Sequence, residues 1–166
     1  MDNLLPQEKT TAKTYDRVAD IWASNYSPPG FWAKEMNVFH NLLPSGRILE
    51  IGAGNGRDAK ELLALGYKYV GTDISDKLLE AAQKKLPDQK FYKQSVYDLS
   101  FPEKPKFDGF WASTVLLHLP KSRLDEALSS IKSVIKHGAI GFISMIDGER
   151  EGLELETWDD SSQHKR

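Results

Sequence analysis

Three glycines at alternate positions, Gly52, Gly54 and Gly56, are the residues whose type and spacing most clearly indicate chemistry. The apolar run RILEI precedes them and a helix-forming segment follows, which predicts a strand, a tight turn and the start of a helix. Glycine suits such a turn because it adopts positive φ readily and lets backbone N–H groups approach a ligand closely. The stretch predicts a site for a nucleotide-type cofactor, with a ligand-free tight turn as the alternative.

The spacing of the glycines separates this turn from two other nucleotide-binding motifs. A dinucleotide fingerprint reads G-x-G-x-x-G, whereas here the third glycine comes one position early and Arg57 stands where that fingerprint has glycine. No Gly-Lys-Ser/Thr sequence follows the turn, as it would in a P-loop. An NAD-dependent oxidoreductase and a P-loop enzyme are therefore both disfavoured.

Two carboxylates and one histidine are the other candidates for chemistry. Asp73 ends the next predicted strand, where its carboxylate can accept two hydrogen bonds from vicinal hydroxyls; taken alone, it could equally be a helix N-cap. Glu50 either belongs to the cofactor site or satisfies backbone donors of the turn. His118 is either a general base near a substrate or a structural side chain at the end of an apolar run. No pair of histidines has metal-ligand spacing, so no metal site is predicted.

The elements that position these residues alternate along the chain. Strands are predicted over 48–51, 67–73, 90–94, 107–112 and 139–146, and helices over 14–26, 31–43, 57–65, 76–86 and 121–137. The third strand is the least hydrophobic and is expected at an edge, and the apolar residues after 112 are expected to continue the fourth. Strands that alternate with helices predict a parallel sheet covered on both faces.

These motifs together resemble those of the class I S-adenosylmethionine-dependent methyltransferases. The segment EIGAGNG resembles the first motif of that family, Asp73 its ribose-binding acid, and FDGFWASTVLLHLP its fourth-strand motif. The resemblance covers about residues 14–146. It implies a Rossmann-like, doubly wound, mainly parallel α/β sheet with two N-terminal capping helices. It also implies methyl transfer from S-adenosylmethionine, with S-adenosylhomocysteine as the product.

The resemblance also implies roles for particular residues. The glycine turn would contact the methionine moiety, and Asp73 would bind the ribose. Ile74 would pack on the adenine, and residues 95–97 would surround the edge of that base. Residues 112–113 would lie under the sulfonium. Tyr15 is a candidate lid residue, and Arg17 or Arg57 a candidate partner for the methionine carboxylate. The full predicted cofactor set is Tyr15, Glu50, Gly52, Ala53, Gly54, Gly56, Arg57, Asp73, Ile74, Ser95, Val96, Tyr97, Ala112 and Ser113.

The sequence departs from the family pattern in two places. Many relatives carry an acidic residue after the third strand to receive the adenine amino group, but this chain has Ser95 there and its next acid is Asp98. The family usually adds two strands after the fifth, for which this chain has no obvious sequence. We therefore expect either a truncated form or a fifth strand whose apolar edge is covered by another copy.

Composition sets the broad class. A chain of 166 residues with 40% hydrophobic and 28% charged residues indicates one globular domain, divided here into a helical cap (1–46), an α/β core (47–146) and an acidic, mobile tail (147–166). The net charge of −2 gives no argument for a nucleic-acid or membrane partner. Absence of cysteine and of a signal peptide favours the cytoplasm. A small-molecule acceptor is expected; a catalytically silent cofactor-binding module, or a fragment that needs a partner, is the alternative.

Overall fold

The computed structural model describes residues 3–25, 30–102 and 106–148. Five helices and five strands lie in this part of the chain. The helices are α1 (Pro6–Asn25), α2 (Ala33–Leu42), α3 (Arg57–Ala64), α4 (Asp76–Lys85) and α5 (Leu124–Val134). The strands are β1 (Arg47–Ile51), β2 (Lys68–Asp73), β3 (Lys90–Lys93), β4 (Phe107–Ala112) and β5 (Ile135–Ile143).

The strands form one sheet in the order β3-β2-β1-β4-β5, and every neighbouring pair is parallel. The chain proceeds outward from β1 to β3 on one side, then returns to β4 and continues outward to β5 on the other. Sheets of this kind bind ligands outside the carboxyl ends of the strands at which the direction reverses, here β1 and β4. The predicted doubly wound parallel fold is confirmed, and β3 lies at an edge, as its polar sequence predicts.

The sheet is covered on both faces. Successive residues of β1, Ile48 and Leu49, are both fully buried and belong to separate apolar clusters, because neighbouring side chains of a strand point to opposite faces. One cluster packs α2 and α3 around Trp111, and the other packs α5 against β1 and β4. The two clusters hold the carboxyl ends of the central strands in a fixed arrangement.

The helix boundaries differ from the predicted ones, most at the start of α1 and at both ends of α5, which Lys121–Arg123 precede as a 3₁₀ turn. The first helix begins at Pro6, not at residue 14, since proline lacks the N–H that the first helical turn leaves unbonded and Glu8 accepts a hydrogen bond from the N–H of Leu5 at 2.7 Å. The predicted end of this helix at residue 26 lies outside the described residues. The fifth helix ends at Val134, not at residue 137, because the next residue, Ile135, already pairs with Phe107 in the sheet.

The chain after β4 also differs from the prediction. The apolar residues expected to extend this strand form instead a short 3₁₀ turn over Leu116–His118. Thr114, between the end of β4 and this turn, has φ of 53°, a left-handed conformation that cannot continue an extended strand. The fifth strand starts at Ile135 and ends at Ile143, so residues 144–146 are not part of it, contrary to expectation.

Phe31, Leu42 and Leu128, three apolar residues of the predicted helices, are exposed and retain 58%, 63% and 43% of their surface. Leu42 and Leu128 lie off the faces that α2 and α5 turn toward the sheet, and Phe31 precedes the first residue of α2. From residue 149 onward, the predicted mobile tail lies outside the described residues. In the part of the chain that the structure describes, no helix is both long and apolar enough to cross a membrane.

Candidate active site

A cleft opens at the carboxyl ends of β1, β2 and β4, where the strand order reverses. Twelve of the fourteen predicted cofactor residues line it, together with His118. The twelve are Tyr15, Glu50, Gly52, Ala53, Gly54, Arg57, Asp73, Ile74, Ser95, Val96, Tyr97 and Ser113. The other two predicted residues do not line it. Ala112 is fully buried in the core, and Gly56 precedes α3 with its α-carbon hydrogens directed at Ala82 and Leu86.

The glycine turn has the backbone conformation that its sequence predicts. Gly52 and Gly54 have φ of 71° and 54°. A β-carbon on Gly52 would lie 2.6 Å from a methyl group of Val115, so no larger residue fits without displacing the loop after β4. The N–H of Gly54 donates to Asp73 Oδ2 at 2.8 Å. The turn is therefore joined to the end of β2 by the carboxylate predicted to bind ribose.

The Asp73 carboxylate lies between two turns. Its Oδ1 accepts from the N–H of Ser75 at 2.9 Å, in addition to the Gly54 bond on Oδ2. The N-cap of α4 is Ser75, whose hydroxyl accepts from the N–H of Leu78, so the alternative that Asp73 serves as this cap is wrong. Burial raises the pKa of Asp73, while backbone hydrogen bonds act in the opposite direction. A carboxylate has about four acceptor positions, so Asp73 can still accept from a ligand in the cleft.

The floor of the cleft contains a second buried carboxyl group. Glu50, at the penultimate position of β1, is almost fully buried and accepts a hydrogen bond from the hydroxyl of Tyr69. Burial, together with the neighbouring Asp58 carboxylate, raises the pKa of Glu50 well above its usual range. A cation entering the cleft would favour ionisation of Glu50.

The arginine of the motif is held by its neighbours. The Arg57 guanidinium pairs with the carboxylate of Asp58 and donates to Ser113 Oγ at 3.3 Å. Trp111 in turn donates from Nε1 to Asp58 Oδ2 at 3.0 Å. Arg57 therefore reaches the cleft as part of a neutral pair. Arg17, the other arginine predicted for this role, is exposed on α1 and does not line the cleft.

His118 joins the loop after β4 to the first helix. Its Nε2 lies 2.9 Å from the hydroxyl of Tyr15, and the two rings meet edge to face at 5.4 Å between centroids. Burial lowers the pKa of His118 to about 4, so the imidazole is neutral near pH 7. Thr114, the one described non-glycine residue with positive φ, sets the path of this loop, and its N–H donates to Ser144 Oγ at 2.8 Å.

One face of α1 forms a wall of the cleft that the sequence analysis largely missed. Glu8, Thr11 and Tyr15 of α1 line the cleft at helical spacing, and Leu4 lines it just before the helix begins. Only Tyr15 was predicted, because the helix was expected to start at residue 14. Pro6 followed by an acidic residue in the first turn is the signal that would have extended the prediction. The other lining residues not predicted are Ile51, Asp58, Leu78, Gln94, Thr114, Val115 and Leu119.

The segment after β3 forms the side of the cleft next to this wall. Ser95 accepts from the N–H of Tyr97 at 3.3 Å, and the hydroxyl of Tyr97 donates to Glu8. Asp98, the acid proposed from the sequence for the adenine amino group, is exposed and does not line the cleft. Over residues 3–25, 30–102 and 106–148, no three His, Asp or Glu side chains are grouped so that they could hold a metal ion.

The cleft lies where the strand order of the sheet reverses, and the glycine turn is hydrogen bonded to an acid at the end of β2. These two features define an α/β domain that binds a nucleotide-type cofactor. The model of a methyltransferase domain family matches residues 48–138, which is more than half of the chain. The chain belongs to this methyltransferase domain family.

Comparison with individual proteins agrees with this family. The chain is 30% identical over 122 residues to protein-L-isoaspartate O-methyltransferase of Chlorobium phaeobacteroides, across 70% of this chain and 56% of that one. The fold is similar to that of DhpI in its SAH complex (TM-score 0.66, 18% identity, 81% of this chain and 67% of that one). It is also similar to magnesium protoporphyrin IX methyltransferase of Synechocystis PCC 6803 with bound SAM (TM-score 0.61, 21% identity, 81% of this chain and 74% of that one). The chain spans about half the length of the curated relatives it matches.

Proposed function

We propose that this chain binds S-adenosylmethionine in the cleft and transfers its methyl group to a small-molecule acceptor. The observation that carries the proposal is the Asp73 carboxylate at the end of β2, hydrogen bonded to Gly54 of the glycine turn at 2.8 Å. Such a carboxylate can accept both hydroxyls of a ribose while the turn allows close approach of the rest of the ligand. Membership of the methyltransferase domain family supports this ligand over NAD.

The residues present fit the proposed cofactor. Gly52 and Gly54 line the cleft with positive φ, and Ile74 and Val96 give the cleft apolar walls suited to a base. Glu50 lies deep in the cleft, where the positive charge of the ligand would favour its ionised form. We assign Arg57, paired with Asp58, to the methionine end, because it lines the cleft next to Ser113.

S-adenosylmethionine supplies a methyl group already activated by the adjoining sulfonium. The chain therefore has to align donor and acceptor and to exclude water, which are contributions of proximity rather than of strong acid–base groups. The first helix and the loop that turns at Thr114 both line the cleft. The contact between Tyr15 and His118 joins the two.

We assign His118 the role of proton acceptor where the methyl acceptor is a hydroxyl or a carboxylic acid. The imidazole lines the cleft and is neutral near pH 7, because burial lowers its pKa to about 4. The acceptor oxygen would bond to the methyl carbon as the carbon–sulfur bond breaks, and its proton would pass to the imidazole. Unchanged turnover of a His118→Ala variant, measured when chemistry limits the rate, would remove this role.

Calorimetric titration tests the cofactor proposal directly. We expect S-adenosylmethionine and S-adenosylhomocysteine to bind the folded protein and NAD not to bind it. Failure of both adenosyl ligands to bind would overturn the proposal. Transfer of a labelled methyl group across a panel of hydroxyl, carboxylate and amine acceptors then distinguishes an enzyme from a catalytically silent cofactor-binding module, which would bind both ligands and methylate nothing.

We extend the proposal to assembly of the 166-residue chain. The fifth strand lies at the edge of the sheet and pairs only with β4 among the described strands. Met145 and Ile146, which follow it, retain 50% and 76% of their surface. An apolar, unpaired edge favours association of two copies.

A further inference from the structure

The segment that follows β3, residues 94–98, provides no carboxylate to the side of the cleft that it forms. Ser95 stands at the position where many members of the methyltransferase family that the chain resembles carry an acid, and its hydroxyl accepts from the N–H of Tyr97. Asp98 is exposed and does not line the cleft. Gln94 does line it, but both ends of its amide group bond the backbone of Ser100. No acidic side chain of this segment therefore reaches the expected adenine subsite.

A carboxylate reaches the same region from α1. Glu8 lines the cleft, retains only 3% of its surface, and accepts from the hydroxyl of Tyr97 on Oε1. Its Oε2 accepts from the N–H of Leu5 at 2.7 Å and from Nη1 of Arg123 at 2.8 Å. The guanidinium of Arg123 also lies 3.6 Å above the centre of the Tyr97 ring. These contacts fix the position of Glu8 beside the segment that follows β3.

The hydrogen-bond inventory of Glu8 leaves room for a ligand. A carboxylate offers about four acceptor positions, two on each oxygen. Among the described residues two donors bond to Oε2 and one to Oε1. A further acceptor position therefore remains on Oε1, the oxygen that bonds the tyrosine of the 95–97 segment.

We propose that Glu8 receives the adenine amino group of the cofactor and thereby replaces, from the first helix, the acid that Ser95 does not provide. The inference rests on the proposed binding of S-adenosylmethionine. It makes Glu8 a specificity-determining residue for the base. A hypoxanthine base has an oxo group in place of the amino group, and two acceptors would then face each other.

The test compares S-adenosylhomocysteine with S-inosylhomocysteine by calorimetry; in the second ligand an oxo group replaces the amino group and N1 carries a proton. We expect the wild-type protein to prefer the adenosyl ligand by about tenfold or more, since a buried carboxylate hydrogen bond is lost with the other. In Glu8→Gln the side-chain amide can donate to the oxo group, so this preference is expected to fall by about tenfold. Asp98→Asn is the matched control, and it should leave the ratio of the two dissociation constants unchanged.

A second variant separates base recognition from support of the helix. Arg123→Met removes the cation that holds Glu8 but keeps its carboxylate, so it should weaken both ligands together and leave their ratio largely intact. An equal loss of affinity for both ligands in Glu8→Gln would show that Glu8 only positions α1, and it would overturn the proposal. Loss of the preference for the adenosyl ligand in Asp98→Asn would also overturn it.

The ratio of the two dissociation constants in the wild-type protein tests the proposal without any variant. A value near one would overturn the role of Glu8 even if Glu8→Gln does not fold. Binding of neither ligand to the wild-type protein would instead overturn the proposed function itself, so the two failures are distinguishable.

Discussion

At the scale of single residues, Asp73 is the group on which the proposed cofactor site most depends. Asp73→Asn keeps the size of the side chain but removes its charge and turns an amide N–H₂ toward the backbone donors of Gly54 or Ser75. We expect the dissociation constant for S-adenosylhomocysteine to rise about tenfold or more, since hydrogen bonds to charged groups contribute about 1.5–3 kcal/mol. Titration calorimetry at pH 7.5 measures the change. The exposed Asp88→Asn serves as the control and should bind normally.

The same carboxylate predicts a pH dependence of binding. Burial raises the pKa of Asp73, and only its ionised form can accept from both ribose hydroxyls. The affinity of the wild-type protein for S-adenosylhomocysteine should therefore be full above this raised pKa and fall as the pH drops through it. Asp73→Asn should lack that component. Parallel pH profiles for the two proteins would contradict the assignment.

The lowered pKa of His118 predicts that the stability of the folded protein depends on pH. Its pKa is lowered from 6.5 to about 4 in the folded protein, so the unfolded chain takes up the proton first as the pH falls. The free energy of unfolding should therefore fall between about pH 6.5 and pH 4, by up to about 3 kcal/mol, with no contribution from this group above pH 6.5. Urea unfolding over this range should show a shallower slope for His118→Gln. The exposed His137→Gln should retain the wild-type slope.

At the scale of elements, the glycine turn offers a comparison that separates backbone strain from steric clash. Gly52 and Gly66 have similar φ, 71° and 87°, but a β-carbon on Gly52 would meet Val115 at 2.6 Å whereas nothing lies within 4 Å of one on Gly66. We expect Gly66→Ala to cost about 1 kcal/mol, from the conformation alone. Gly52→Ala should cost about 2 kcal/mol more, as over-packing adds to that strain. Chemical denaturation measures both, and equal losses would show that the loop carrying Val115 yields freely.

Local sequence patterns predicted the centre of the molecule well because the determinants there are local. The glycine turn, Asp73 and the strands around them follow from residues a few positions apart. The end of α5 depended on tertiary contacts instead: Ile135 leaves the helix to pair with Phe107. The position of Glu8 against Tyr97, 89 residues later in the chain, could not be inferred from periodicity. The contact of Glu8 with Tyr97 was missed because it joins segments that are distant in sequence.

At the scale of the whole molecule, the two edges of the sheet differ. The edge strand β3 is short, at four residues, and begins and ends with lysine, a composition that opposes edge-to-edge pairing. The other edge strand, β5, has nine residues and ends at Ile143, which retains 40% of its surface. Association of two copies is therefore expected at β5 and not at β3.

The edge at β5 gives the prediction for the assembled protein. We expect the 166-residue chain to shift from monomer to dimer as its concentration increases, because a long apolar edge can pair with its copy. Ile143→Lys places a charge on this edge and should move the transition to higher concentration, whereas Leu128→Lys replaces a similarly exposed apolar residue on α5 and should not. Sedimentation velocity over a concentration series measures the shift. A wild-type protein that remains monomeric at every concentration would mean that the β5 edge is protected by its own chain. An equal effect of the two lysine substitutions would indicate association through general apolar surface instead of strand pairing.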